Sequence, residues 1–377
     1  MDTVVRTVDY IRGKVVIIDQ TLLPAEEKYI KLGSPEELAA AIRVLQVRGA
    51  PAIGVAAAHG VLLALENEII KSLEDAPDHI FDHGSDSVPF DTAALDGKGI
   101  AARLLETADM LAGTRPTAIN LFWALERMRK AIEMSGSNIA LLAKNVPVEA
   151  FAIHDGELET DRRIGRNGSV LLRDGMTILT HCNAGGLATA GYGTALAVIK
   201  TAHEQGRKIS VFADETRPLL QGARLTAWEL TRAGIEVTVL CDNAAASLFA
   251  AGRIDAVITG ADRIVLNGDS ANKIGTLGLA VLCEKYRVPM YIAAPWSTFD
   301  LSIGNGSAIP IEERAPGEVK SFAGVMTAPE EAKAYNPAFD VTPAELLTAI
   351  ITETCVIEAP DQGKIRAAAE EAGVMPS

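Results

Sequence analysis

The run Thr180-His181-Cys182-Asn183-Ala184-Gly185-Gly186 brings an imidazole, a thiol and a glycine pair together directly after an apolar stretch. The pattern predicts that a strand ends here and an amphipathic helix begins. Such a junction presents free backbone N–H groups to an anion, with a thiol beside them. Further along, Thr259-Gly260-Ala261-Asp262-Arg263 supplies a carboxylate after another apolar strand. A thiol and a carboxylate beside a phosphate cradle suit proton transfer on a small phosphorylated molecule. Cys182 has two readings. It is either a small side chain packed under the glycine turn, or a thiol whose thiolate the helix dipole stabilises; an apolar pocket would work against the thiolate.

In an open parallel sheet, ligands bind beyond the carboxyl ends of the strands. The residues that follow five apolar strands are His181-Cys182, Asp214-Glu215, Cys241-Asp242, Asp262-Arg263 and Pro295-Trp296, and four of these ends carry an ionisable group. Asp at a strand end can serve a turn alone, so the weight rests on the set rather than on any member. Gly185-Gly186 with Gly191 and Gly193 invites comparison with a dinucleotide fingerprint. The spacing differs, however, and Asp214 lies 28 residues after Gly186, against about 20 for a ribose-binding acid. The glycines fit a phosphate cradle equally well.

Asn272-Lys273 follows the polar turn Asn267-Gly268-Asp269-Ser270 and either offers an amide and an ammonium to a phosphate or hydroxyl, or belongs to a solvated turn. Arg48-Gly49-Ala50-Pro51 separates two predicted helices; its Arg and free N–H groups either face an anion or only cap the preceding helix. Asp78, His79, Asp82 and His83 are metal-ligand types, but they sit in a low-complexity polar stretch and read as solvated.

These groups need a scaffold, and the hydrophobic rhythm supplies one. β-rich patches such as Lys14-Val15-Val16-Ile17-Ile18-Asp19-Gln20 occupy the first 30 or so residues. Ser34-Pro35-Glu36-Glu37 is a capping box with proline at the first helical position, opening a helix over 36–46. An Ala-rich helix follows Pro51 to about residue 66; residues 75–99 read as a surface loop or partly disordered insertion; helices over 100–111 and 117–134 come next. From about Gly175 strands and helices alternate. Strands are predicted at 177–180, 209–213, 236–240, 256–259 and 290–293, with helices over 190–204, 221–233, 244–251 and 274–286. This predicts an α/β fold: a Rossmann-like parallel sheet with helices on both faces, preceded by a smaller domain of a short β-sheet plus helical bundle. The domains divide as 1–145 and 146–377. Thr342-Pro343-Ala344-Glu345 is a second capping box and predicts a C-terminal helix.

Of the 377 residues, 48% are apolar and 22% charged, a globular profile. No apolar run approaches the roughly 20 residues that span a bilayer, and the N-terminus lacks the basic-then-apolar pattern of a signal peptide. Cys182, Cys241, Cys283 and Cys355 are scattered, as reduced thiols of a cytoplasmic protein are. A net charge of −14 argues against nucleic acid or an anionic membrane as partner.

Taken together, the chain resembles the 5-methylthioribose-1-phosphate isomerase family of methionine salvage. The resemblance is carried by Arg48-Gly49-Ala50-Pro51-Ala52-Ile53-Gly54, Thr114-Arg115-Pro116-Thr117, the Cys182 run and Glu215-Thr216-Arg217-Pro218-Leu219-Leu220-Gln221-Gly222. It continues through Gly260-Ala261-Asp262-Arg263-Ile264, Asn272-Lys273-Ile274-Gly275-Thr276, Ile311-Glu312-Glu313-Arg314 and Asn336-Pro337-Ala338-Phe339-Asp340-Val341-Thr342-Pro343. The likeness covers nearly the whole chain. Departures are the Asp/His-rich stretch near 78–98 and Thr354-Cys355. The resemblance implies an aldose–ketose isomerase that opens a ring sugar 1-phosphate to the ketose. Cys182 and Asp262 become its acid/base pair, and Arg48, Gly49, Ala50, Arg115, Gln221, Asn272 and Lys273 bind the sugar phosphate. It implies no metal and no organic cofactor, and a homodimer. The same fold family holds ribose-1,5-bisphosphate isomerase and the regulatory scaffold subunits of the eukaryotic initiation-factor-2 exchange factor. Presence of both Cys182 and Asp262 argues against a scaffold.

Overall fold

In a computed structural model, which describes residues 3–73, 77–83, 95–115, 118–322 and 324–375, the chain divides into two compact units. One comprises Val4–Glu159 with Gly186–Gly191, the other Thr160–Gly185 and Tyr192–Ser377 with the N-terminal Thr3. Pro116 and Thr117 of the Arg115 motif, and residues 75–76 and 84–94 of the polar stretch, lie outside the described residues.

In the first unit, strands β1 (Val8–Tyr10), β2 (Val15–Ile18) and β3 (Tyr29–Leu32) form an antiparallel sheet with Val8 opposite Ile17 and Val15 opposite Leu32. Helix α1 (Pro35–Arg43) opens as the capping box predicts: the Ser34 hydroxyl accepts from the Glu37 N–H at 3.2 Å, and the Glu37 carboxylate accepts from the Gly33 N–H at 2.6 Å. Helix α2 (Ala50–Lys71) is buried almost all round because α1, α3 (Gly97–Ala112), α4 (Ile119–Ser135) and the sheet pack against it. An all-round apolar helix is what such a central position requires. Here one sequence expectation needs correcting. Ala50–Lys71 is long and apolar enough to cross a membrane, its charges falling late at Glu66, Glu68 and Lys71; yet 83% of its most apolar window is buried inside the protein.

The chain passes between the units within helix α5 (Ile139–Ser169), which the sequence reading did not anticipate. The second unit then alternates as predicted: β4 (Thr177–Thr180), α6 (Ala195–Glu204), β5 (Ser210–Asp214), α7 (Ala227–Arg232), β6 (Glu236–Leu240), α8 (Ala245–Ala250) and β7 (Ala256–Thr259). Next come β8 (Arg263–Val265), β9 (Ser270–Lys273), α9 (Thr276–Tyr286), β10 (Met290–Ala293) and β11 (Phe299–Asp300). A short helix α10 (Gly317–Lys320) and a hairpin of β12 (Ser321–Phe322) and β13 (Val325–Met326) precede β14 (Phe339–Thr342), β15 (Ala349–Ile351), β16 (Val356–Glu358) and α11 (Gln362–Glu371).

Four of the five predicted strands keep their predicted ends and the fifth moves by one residue. The main sheet has the order β16-β15-β10-β7-β4-β5-β6, parallel except for the antiparallel edge strand β16. Successive side chains on its strands enter different cores. Ile178, Val211, Ile258 and Tyr291 pack with Leu196, Val198 and Ile199 of α6, whereas Leu179, Phe212, Val257 and Ile292 pack with Phe249 of α8 and Leu279 and Ala280 of α9. Both faces are therefore covered, which is why the strands read as unbroken apolar runs.

A second sheet, β11-β8-β9-β14, was not predicted. It overturns the second capping box. Thr342 is a strand residue paired with Ser270, and the Ala344 N–H donates to Asp269 instead, at 2.9 Å. Only a single 3-10 turn, Ala344–Leu346, follows. The C-terminal helix starts later, where the Asp361 side chain caps the Lys364 N–H at 2.9 Å.

Candidate active site

Strand order reverses between β4 and β7. From β4 the chain steps outward through β5 and β6, then returns to the other side of β4 with β7 and continues outward through β10 and β15. A reversal of this kind leaves a crevice at the carboxyl ends of the two strands. Cys182 follows β4 and Asp262 follows β7, so the two residues stand at the ends of adjacent parallel strands. Neighbouring strands lie about 4.8 Å apart, and here the Thr180 hydroxyl also donates across to the Ile258 carbonyl at 2.8 Å.

The turn after β4 is not the strand-to-helix junction expected. A 3-10 turn, Gly186–Ala188, intervenes and α6 begins only at Ala195, so the N-terminus of α6 does not directly follow the thiol. Cys182 instead has a left-handed backbone, φ 62°. Its N–H donates to the Thr216 hydroxyl at 2.8 Å and its carbonyl accepts from Thr226 at 2.7 Å. Thr216 (φ 65°) and Leu220 (φ 59°), in the turn after β5, are left-handed as well. Each such non-glycine residue costs on the order of 1–3 kcal/mol, and strain of this kind collects at active sites. Behind the turn, the Asn183 amide donates to Glu229 at 2.9 Å, and Glu229 pairs with Lys200 at 3.0 Å; both charged side chains are buried.

His181, the residue before the thiol, is 2% exposed. Its Nδ1 faces Asp214 Oδ2 at 2.9 Å and its Nε2 faces the Ile274 carbonyl at 2.8 Å. Burial opposes the imidazolium, but the hydrogen bond and charge of Asp214, with the Ile274 carbonyl, hold its pKa above the ordinary value. Burial likewise raises Asp214, against the pull of His181. This disposes of Asp214 as a ribose-binding acid: the side chain is buried against His181. His181, Asp214 and Asp242 are metal-ligand types within 4.8 Å of one another. Most of the donors are committed, although the buried Asp214 Oδ1 has no hydrogen-bond partner. Both His181 nitrogens are engaged, and Asp242 accepts from the Thr216 and Arg217 N–H groups at 2.6 and 2.7 Å. The cluster is a hydrogen-bond network. In the polar stretch of the first unit, His79 pairs with Asp82 at 2.9 Å and His83 with Asp155 at 3.0 Å.

Asp262 is partly buried and its N–H donates to the Ala271 carbonyl at 2.9 Å, which fixes it against β9. Asn272 and Lys273 lie on that strand, not in a solvated turn, and both are buried. The Asn272 amide donates to Thr276 at 2.9 Å; Lys273 Nζ donates to the Ala338 carbonyl at 2.9 Å and lies 4.9 Å from the Phe339 ring centre. Gln221 is buried at the turn after β5, and its Oε1 has no hydrogen-bond partner.

Arg48, Gly49, Ala50 and Arg115 belong to the first unit. Arg48 Nε donates to Gln20 Oε1 at 2.9 Å, and Gln20 donates to the Leu187 carbonyl at 2.8 Å. Gly49 caps α2 with φ 101°, and a Cβ there would stand 2.5 Å from Ala188 Cα, so only glycine fits. Ala50 is the buried first residue of α2, and Arg115 is partly buried beyond the end of α3. Sequence reasoning placed His181 and Asp214 at strand ends and weighed Asp214 as a ribose-binding acid, but it did not pair the two and assigned no role to Thr216, Glu229 or Asp340. The Asp340 carboxylate accepts from the Gly275 and Leu277 N–H groups at 2.7 and 3.1 Å, anchoring the start of α9.

A doubly wound α/β unit with a strained, thiol-bearing turn and a carboxylate at its switch point belongs to the class of proteins that bind small molecules at the carboxyl edge of a parallel sheet. The chain belongs to the initiation factor 2 subunit family, whose profile matches residues 46–359. It is 48% identical over 363 residues to the methylthioribose-1-phosphate isomerase of Geotalea daltonii, covering 96% of this chain and 98% of that one. It is 51% identical over 349 residues to the 5-deoxyribose 1-phosphate isomerase of Moorella thermoacetica, covering 92% and 93%. The crystal structure of 5-methylthioribose 1-phosphate isomerase from Pyrococcus horikoshii superposes with a TM-score of 0.85 at 41% identity, covering 97% of this chain and 96% of that one.

Proposed function

We propose that this chain isomerises the aldose 5-methylthio-D-ribose 1-phosphate to the ketose 5-methylthio-D-ribulose 1-phosphate, a step of methionine salvage. The observation that carries the reading is the placement of Cys182, in its left-handed turn, and Asp262 at the ends of the adjacent strands β4 and β7. Relatives of that name along nearly the whole chain support it. The chemistry calls for two such groups. Phosphate on the anomeric oxygen blocks spontaneous ring opening, so the ring oxygen must be protonated while the C1–C2 bond is reorganised. Asp262 serves the ring oxygen and Cys182 the carbon centre, through a cis-enediol; the alternative, a hydride shift from C2 to C1, needs mainly an apolar pocket. Neither scheme calls for a metal or an organic cofactor. The residues we assign to binding the sugar and its phosphate are Arg48, Gly49, Ala50, Arg115, Gln221, Asn272 and Lys273. The chemistry belongs to the 146–377 domain of a cytoplasmic homodimer.

A second substrate has its own support: a relative 51% identical bears the name 5-deoxyribose 1-phosphate isomerase, and the two sugars differ only at C5. The test is turnover followed by the new ketone signal, with 5-methylthioribose 1-phosphate, 5-deoxyribose 1-phosphate and ribose 1,5-bisphosphate run in parallel. Turnover of the methylthio sugar is expected. Turnover of the bisphosphate alone would move the chain to the rival isomerase, and silence of the folded protein with all three would refute an enzyme.

A further inference from the structure

His181 joins three pieces of the second unit. Its own backbone leads into the Cys182 turn. Its Nδ1 meets Asp214 at the end of β5, and its Nε2 meets the carbonyl of Ile274, the residue after Lys273. The fit is close: Gly275 has φ 109°, and a Cβ there would stand 2.8 Å from the ring's Cε1. Asp214 ties the ring back to the thiol turn a second time, because its carbonyl accepts from the Thr216 hydroxyl at 3.0 Å and that hydroxyl holds the Cys182 N–H. One imidazole thus connects the turn bearing Cys182 to the strand bearing Asn272 and Lys273.

The partners also fix the ring's protons. A carbonyl oxygen only accepts, so Nε2 carries a hydrogen. Nδ1 faces a carboxylate, and Asp214 after β5, Asp242 after β6 and Asp340 on β14 set negative charge around the ring. We propose that His181 is a positioning residue for the reaction, a doubly protonated ring that holds the Cys182 turn in register with the Asn272–Lys273 strand. The proposal rests on the isomerase reading of Cys182. It concerns how the thiol is held, not what it does to the substrate.

The experiment uses the full chain labelled with 15N-histidine. One ring should keep protons on both nitrogens at about pH 8, well above the ordinary histidine range, and its signals should vanish in His181→Asn. A singly protonated His181 ring at that pH would overturn the proposal. Kinetics supply the second arm. Displacing a reacting group by about 1 Å costs roughly 100-fold in rate, so His181→Asn should lose kcat by about that factor with KM within about 3-fold. Asp214→Asn keeps a hydrogen bond to Nδ1 and removes the charge. It should leave a ring with a single proton and retain kcat within about 10-fold, the lighter end of losses from an orienting partner. Unchanged kcat in His181→Asn, or losses that merely follow the folded fraction in both variants, would refute the positioning role. The labelled rings report whether or not the wild type turns over 5-methylthioribose 1-phosphate, so a failure of the isomerase reading appears separately, as wild-type silence.

Discussion

Replacing Cys182 by glycine and by alanine separates what the thiol does from what its backbone costs. At φ 62° a residue with a Cβ carries about 1–2 kcal/mol of steric strain that glycine does not. Glycine loses about 0.4–1 kcal/mol through the greater freedom of its unfolded chain. At an ordinary position only the second effect acts, and Ala is the more stable. At residue 182 the first should win, leaving Cys182→Gly more stable than Cys182→Ala by about 0.8 kcal/mol, the difference between the midpoints of those two ranges. In a unit of this size that corresponds to roughly 1–4 °C in Tm. The two variants would be compared by urea midpoint and by thermal unfolding, with turnover of 5-methylthioribose 1-phosphate measured alongside. Both should be inactive. Alanine proving the more stable would mean that Cys182 is not held left-handed, and would remove the strain argument for the site.

Two further outcomes follow from individual groups. Asp262→Asn keeps the shape of the side chain but cannot donate or take a proton; kcat should fall by about 100-fold or more while KM changes little, and a loss confined to KM would make Asp262 a binding residue only. His59 is buried among Tyr10, Phe151 and His154, and burial, with repulsion from His154 and His83, places its pKa well below the ordinary value of 6.5. The unfolded chain therefore takes up a proton first as pH falls below that value, so this contribution to stability is lost progressively on acidification below about pH 6.5. His59→Phe should lack that loss, and parallel stability–pH curves for variant and wild type would refute it.

The parallel sheet was legible because its strands are buried on both faces. Runs such as Ala256–Thr259 and Met290–Ala293 have no polar face to blur their ends. Helix α5 was not legible, since Pro147, Gly156, Gly165 and Gly168 punctuate it as a series of loops would be punctuated. Two of these glycines answer to packing that sequence does not display: a Cβ at Gly165 would stand 2.4 Å from Thr201 Oγ1, and one at Gly168 2.4 Å from Val198 Cγ2. The sheet containing β9 was missed for a different reason. Its partner for Ser270-Ala271-Asn272-Lys273 is Phe339–Thr342, far along the chain, and polar Asn and Lys on a short strand look like a turn until that pairing is known.

Strand ends pointed to Cys182 and Asp262, but the chain order does not disclose that β7 returns to lie beside β4, and it is this return that sets the two residues after adjacent strands. Nor does sequence disclose the strain. Glycine at 182, 216 or 220 would meet the left-handed backbone at no steric cost, yet Cys, Thr and Leu stand there. For Thr216 the reason is visible, because its hydroxyl holds the Cys182 N–H while donating to the Asp214 carbonyl. A side chain that restrains the thiol's backbone is kept in a conformation its β-branching disfavours, and the restrained residue is itself in such a conformation. Two strained residues joined by a hydrogen bond make poor economy for a turn whose task is to reverse the chain. They make sense when the direction in which Cys182 presents its sulfur is the property the turn preserves.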